Sequence, residues 1–306
     1  MNAIAIGDAF RQAMEKAGLV PPEVIPPGKI IRFPGVGKST GNKSGWAWLS
    51  EDGQGGAYGD WASGLSEAWA AQQKKMTPAE RTAHATRVAD AQRIRHEEEV
   101  KQHKDAAQRA QAIWNQAASA TDPHPYLVQK QITFDHLVYG LRVDAKNNLL
   151  VPVENWDGLS TLQFIAPNGD KQFLPGGKVK GGWFCMGGHD ERGLIVCEGL
   201  ATGGSLHKAT GLPVVVAFTA HNLTEIAQGF RQDDPAETIL ICGDNDIHED
   251  GKPNTGLLAA TAAAKAIKGI LVMPELDGKK CDWNDIACAK GLDAVREAIE
   301  AALQLK

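Results

Sequence analysis

A chain of 306 residues, 43% of them apolar, is long and apolar enough for about two ordinary domains with their own cores. No apolar run approaches the roughly 20 residues of a membrane span, and the first 20 residues lack the basic start and apolar centre of a signal peptide, so no membrane contact and a cytoplasmic location are expected. The formal charge of −5 is unevenly spread, running from +2 over residues 1–118 through 0 over 119–189 to −7 over 190–306. The five cysteines lie singly, with no C-x-x-C pair, which points to reduced thiols and makes zinc unexpected.

Residues 4–17 read as a short helix ending near Gly18, followed by the connector PPEVIPP, which cannot continue it. From Lys29 to Trp69 short strands broken by glycines form a small β-rich unit, expected over residues 1–75. Trp46 and Trp48 share one face of a strand, with Tyr58 and Trp61 beyond and Lys29, Arg32, Lys38 and Lys43 close by. Two readings follow: the rings are the core of this unit, or they stack on unpaired bases while the cations hold phosphates. The run Gly35-Val36-Gly37-Lys38-Ser39-Thr40 invites comparison with a phosphate-binding P-loop. It fails on spacing, because the glycine required five positions before Gly-Lys-Ser is Arg32 and no long helix follows.

The capping-box sequence Thr77-Pro78-Ala79-Glu80 opens a polar helix that could run to about Ala120, a linker over residues 76–118. Its charge run RIRHEEEVKQHK is most simply a solvated, salt-bridged face. In the last third, the apolar runs Gly193 to Cys197 and Thr238 to Cys242 read as buried strands with carboxylates just past their C-terminal ends. These are Glu198 in LIVCEG and Asp244 and Asp246 in ILICGDND. Ala-rich helices follow each, at 201–210 and 257–268, and a third acidic patch, Asp282 and Asp285, lies in KKCDWND. In an open α/β sheet that edge is the ligand edge, and carboxylates converging there repel unless a hard cation joins them. Gly203 and Gly204 suit either helix packing or a close phosphate approach.

A Glu-Gly after one strand and Asp-x-Asp after a later one resembles the TOPRIM domain of primases, topoisomerases and some nucleases. The block LLVPVENWDGLSTLQFIAPNGDKQFLPGGKVKGGWFCMGG and the segment HPYLVQKQI resemble the subdomain that precedes TOPRIM in plasmid and phage primases of the DnaG-like type, so the likeness spans about residues 119–290. The implied fold class is α/β: a TOPRIM-type, Rossmann-like parallel sheet over residues 190–306, preceded by a small mixed α+β primase subdomain over 119–189, the helical linker and the N-terminal β-rich unit. The implied activity is metal-dependent nucleotidyl transfer that makes RNA primers on single-stranded DNA from ribonucleoside triphosphates, with a replicative helicase as a further partner. Mg²⁺ or Mn²⁺ would be held by Glu198, Asp244, Asp246, Asp282 and Asp285. Glu198, Asp244, Asp246 and Lys171 would be catalytic, and Lys178 and Lys180 would form a basic stretch on nucleic acid. One departure is Gln163 and Phe164, in a strand where cellular primases carry an arginine. The alternatives are a TOPRIM nuclease using the same carboxylates on water, or an inactive accessory protein that binds DNA and recruits a helicase.

Overall fold

The computed structural model describes residues 3–71, 78–120, 124–132, 140–248 and 252–304. The chain divides into two compact units, Met1–Asp90 and Ala91–Lys306. In the first, helix α1 (Ala3–Lys16) is followed by strands β1 (Ile30–Phe33), β2 (Gly45–Leu49), β3 (Gly55–Asp60) and β4 (Leu65–Ala70), which pair antiparallel in that order. Phe10 and Met14 of α1 pack with Phe33, Ala47, Leu49 and Tyr58 to make the core. Because strand side chains alternate, burying Ala47 and Leu49 turns Trp46 and Trp48 to the other face, and Trp48 is 38% exposed. The reading of these two rings as core is therefore overturned, although Tyr58 and Trp69 do face inward.

The Gly35–Thr40 run is a compact turn, not a phosphate cradle. Its first two amides are already used: Gly35 N–H donates to Asn42 Oδ1 at 3.1 Å and Val36 N–H to Asp60 Oδ2 at 3.2 Å. Helix α2 (Pro78–Gln116) is exposed between Ile94 and Lys101 but buries Ala106 and Ala110 completely. The boundary between the two units falls within it. The capping box that Thr77 would open lies outside the described residues.

The second unit holds two five-stranded sheets. One is antiparallel, in the order β5 (Ala118–Ser119), β6 (Arg142–Val143), β7 (Leu149–Asn155), β8 (Gly158–Ile165) and β9 (Lys171–Phe173), with helix α3 (Pro125–Gln129) between β5 and β6 in sequence. The other contains β10 (Phe184–Met186), β11 (Leu194–Cys197), β12 (Val214–Val216), β13 (Ile239–Cys242) and β14 (Ile270–Val272), in the spatial order β10-β12-β11-β13-β14. Strands β11 to β14 are mutually parallel and β10 is an antiparallel edge.

Helices cover both faces of the parallel sheet, as a fully buried sheet requires. Ile195, Cys197, Leu240 and Cys242 pack towards α4 (Leu200–Thr210), α7 (Trp283–Lys290) and α8 (Leu292–Gln304). Their sequence neighbours Leu194, Val196, Ile239 and Ile241 pack towards α5 (Leu223–Asp233) and α6 (Thr255–Ile267). Among the described residues no helix is long and apolar enough to cross a membrane.

Candidate active site

The chain leaves β11 through α4 to β12 on one side and returns to β13 on the other side of β11, so β11 and β13 flank a topological switch point. Cys197 and Cys242 are register partners on these adjacent parallel strands. Glu198 is the first residue past β11 and Asp244 the second past β13, which brings two carboxylates to one sheet edge. A pocket of about 270 Å³ opens there. Glu198, Asp244 and Asp282 line it from the parallel-sheet layer, while Gln163, Lys171, Tyr126 and Lys130 line it from β8, β9 and the α3 segment. Three of the five expected carboxylates and the expected lysine thus meet across two layers, while Asp246 and Asp285 do not line the pocket.

The electrostatics of the bare site are unfavourable. Burial first, then the charges of Glu198, Asp282 and Asp246, push Asp244 up to about 7. Burial also raises Glu198, with Asp246 adding to it and the Ala220 N–H and His221 opposing, and raises Asp282. Asp244 Oδ1 is buried without a hydrogen-bond partner, as is the hydroxyl of Tyr126, which burial raises to about 12. Lys171 keeps solvent access, and its ammonium lies 5.4 Å from the Tyr126 ring centroid. The protein packed around that ammonium lowers its pKa by desolvation, opposed by Asp282, Asp244 and Glu198.

Asp246 is treated differently. Its Oδ1 lies 2.7 Å from Lys280 Nζ and its Oδ2 accepts from Thr255 Oγ1 and the Gly256 N–H at the start of α6. Against desolvation, the Lys280 bond and charge lead in holding it below the usual carboxylate range. Asn254 fixes this corner: its Oδ1 accepts from Asp246 N–H and from Leu257 N–H, capping α6. Gly256 is required by close approach, since a Cβ there would stand 2.1 Å from the Asp244 carbonyl oxygen.

Asp282 and Asp285 form the capping box of α7. Asp285 N–H donates to Asp282 Oδ1 at 2.8 Å and Asp282 N–H to Asp285 Oδ2 at 3.0 Å. Asp282 still lines the pocket, whereas Asp285 does not. Lys178 and Lys180 are exposed outside it, Lys180 3.9 Å from Glu225. Their turn is held by the buried Asn222, whose Oδ1 accepts from Gly181 N–H and whose amide donates to the carbonyls of Val179, Gly182 and Ala217. Gly203 and Gly204 resolve as packing positions: a Cβ at Gly203 would meet Met186 and Val216, and one at Gly204 would meet Ile132. No motif in the sequence marks Lys280, Asn222 or Lys130 as part of this site. Only Asn254, an Asn just before an Ala-rich helix, carried a usable local signal.

The residues suit a divalent cation. All the donors are hard carboxylate oxygens, one of them a buried orphan, and three raised carboxylates gain from a positive charge. Among the described residues no three His, Cys, Asp or Glu side chains are drawn into a ready-made metal cage, in keeping with their mutual repulsion.

Residues 193–293 match the family model described as the Toprim domain. This segment is a Toprim domain. It comprises β11 to β14 and the helices α4 to α7, with Glu198, Asp244, Asp246 and Asp282 at its ligand edge. Two curated relatives from Escherichia coli are both named DNA primase TraC. One is 29% identical over 285 residues, covering 89% of this chain and 27% of the relative; the other is 32% identical over 184 residues, covering 56% and 12%. The chain thus spans about a quarter or less of the length of these relatives, and its likeness to the first of them extends well upstream of the Toprim domain. Among solved structures, that of a DnaG primase catalytic domain bound to ssDNA is 13% identical with a TM-score of 0.47, covering 67% of this chain and 83% of that one. The primase fragment of the bacteriophage T7 primase-helicase protein is also 13% identical, with a TM-score of 0.44, covering 88% and 99%.

Proposed function

We propose that the chain is a DNA primase catalytic region that makes short RNA primers on single-stranded DNA by metal-dependent nucleotidyl transfer, in the replication of a plasmid, phage or other mobile element. The observation that carries this reading is the joint pocket: Toprim carboxylates on one side and Lys171 with Gln163 on the other, within a chain that aligns with one DNA primase over 89% of its length. A topoisomerase or simple nuclease reading gives no reason for the upstream layer.

In the reaction the 3′-hydroxyl oxygen of one ribonucleotide bonds to the α-phosphorus of the next, and the bond to pyrophosphate breaks. Glu198, with its raised pKa, takes the hydroxyl proton. Asp244, Asp246 and Asp282 would hold Mg²⁺ or Mn²⁺, which when bound neutralises triphosphate charge and lowers the hydroxyl's pKa. Asp285 supports Asp282 through the capping box. Lys171 steadies the reacting phosphate, and residues 199–202, the uncapped N-terminal turn of α4, offer N–H groups to phosphate oxygens. Lys178 and Lys180 hold the template strand outside the pocket, and a replicative helicase is the partner that would deliver it.

Incubation with single-stranded templates, labelled ribonucleotides and Mg²⁺ or Mn²⁺ tests the reading. Short labelled RNA is the expected product. Degraded template would mean a nuclease, and retained template without turnover would mean an accessory binding protein.

A further inference from the structure

The outward face of the four-stranded sheet in the first unit has a composition that folding alone does not require. Strand register places Ile30 beside Trp48 and Arg32 beside Trp46. It continues the same face through Ala57 and Gly59 of β3 to Ser66 and Ala68 of β4. Two aromatic rings, one cation, the exposed Ile30 and small residues make up this surface, and none of its strand positions is a carboxylate. The acidic strand residues point the other way: Asp60 is 1% exposed and bound to the Gly35–Ser44 turn, and Glu67 accepts the Tyr58 hydroxyl at 2.8 Å.

The rings are arranged as a platform. Trp46 and Trp48 are two residues apart on one strand, so their Cα atoms are spaced by about 7 Å. Trp61, just past β3 and 65% exposed, lies against Trp46 with ring centroids 5.7 Å apart. The Arg32 guanidinium sits 5.4 Å from the Trp61 centroid. Gly59 lets Trp46 lie flat, because a Cβ at that position would be 2.8 Å from Trp46 Nε1. Lys29, Lys38 and Lys43 are all exposed on the segments that bound β1 and β2.

A large apolar ring left in water at such a site loses the burial it could have had in the core behind it. Three rings together, held by a cation and free of acids, gain most from a ligand that is planar, apolar on its faces and anionic on its backbone. From this geometry we infer that the face bearing Arg32, Trp46, Trp48 and Trp61 binds single-stranded nucleic acid, with bases stacked on Trp48 and Trp61 and phosphates held by Arg32 and the flanking lysines. Duplex is excluded as the ligand, since its base faces are occupied by stacking within the helix. The inference shares the template strand with the proposed primer synthesis but not the pocket, so each can fail alone.

The test uses the full chain and a fluorescently labelled oligodeoxythymidylate, with anisotropy read at several salt concentrations and tryptophan emission followed in parallel. Each of Trp48→Ala and Trp61→Ala is expected to weaken binding by about tenfold or more, with little change in salt slope. Arg32→Ala should weaken binding and lower the salt slope by about one. Trp48→Phe retains a ring and should recover most of the affinity. The thermal transition of each variant separates loss of the face from loss of the fold. Unchanged oligonucleotide affinity in folded Trp48→Ala and Trp61→Ala, or equal competition by duplex, overturns the inference whatever the outcome of the primer-synthesis assay.

Discussion

Asp244 carries the largest electrostatic cost in the site, and the sign of its effect on stability is set by its raised pKa. The native state keeps a proton on Asp244 up to about pH 7, where the unfolded chain has released it near 3.8. The metal-free protein therefore loses stability as pH rises through that window, by roughly 4 kcal/mol at most. Asp244→Asn should raise the melting temperature in chelator at pH 8, with the gap to the parent closing towards pH 4. A melting series across this range checks it, and a variant less stable than the parent at pH 8 would contradict the assigned repulsion. Lys280 is the counterpart, an internal cation already seated on Asp246. Its lysine end is largely exposed, so the pair is worth about 1 kcal/mol or less and Lys280→Gln should tighten Mn²⁺ binding by a factor of roughly five at most. Calorimetric titration reads this directly; weaker binding would show that Lys280 helps to build the site.

At the scale of elements, the turn after β9 depends on one buried carboxamide. Asn222→Ala leaves the Gly181 N–H and several carbonyls without their partner, at a cost of about 1–3 kcal/mol, and should lower the melting temperature while freeing the Lys178–Lys180 turn. Three lysines in this region divide by position. The pair Lys178→Ala and Lys180→Ala, outside the pocket, should weaken template binding in a salt-dependent way and lower the slope by up to about two. Lys171→Ala, inside it, should reduce turnover more than template affinity, because a cation beside the reacting phosphate acts on developing charge. Steady-state kinetics alongside anisotropy titrations separate the two, and equal binding losses in both would refute the division.

At the scale of the whole molecule, every candidate site residue of the pocket and, among the described residues, three of the four apolar clusters belong to residues 91–306. A fragment of that span should fold and bind Mn²⁺ within about twofold of the full chain. A fragment that folds but fails to bind the ion would show that the first unit completes the site.

The sequence by itself determined the elements of the Toprim layer and the edge on which they carry acid. β-Branched apolar runs such as LIVC and ILIC bury on both faces only as central parallel strands, and Glu198 and Asp244 must then follow at their carboxyl ends. Local pattern also rejected the P-loop at Gly35–Thr40, where Asn42 and Asp60 now take the Gly35 and Val36 amides. Chemistry that depends on a distant neighbour was not legible. Asp282 and Asp285 look equivalent on the page, yet the capping of α7 keeps one at the pocket and takes the other away. Lys280 reads as one more surface lysine until the fold lays it on Asp246. Period-two alternation says that Trp46 and Trp48 share a face but not which face. Only the packing of Phe10 and Met14 against Ala47 and Leu49 decided that the tryptophans look out, because the side of a sheet that a helix covers is a tertiary choice that no strand encodes alone.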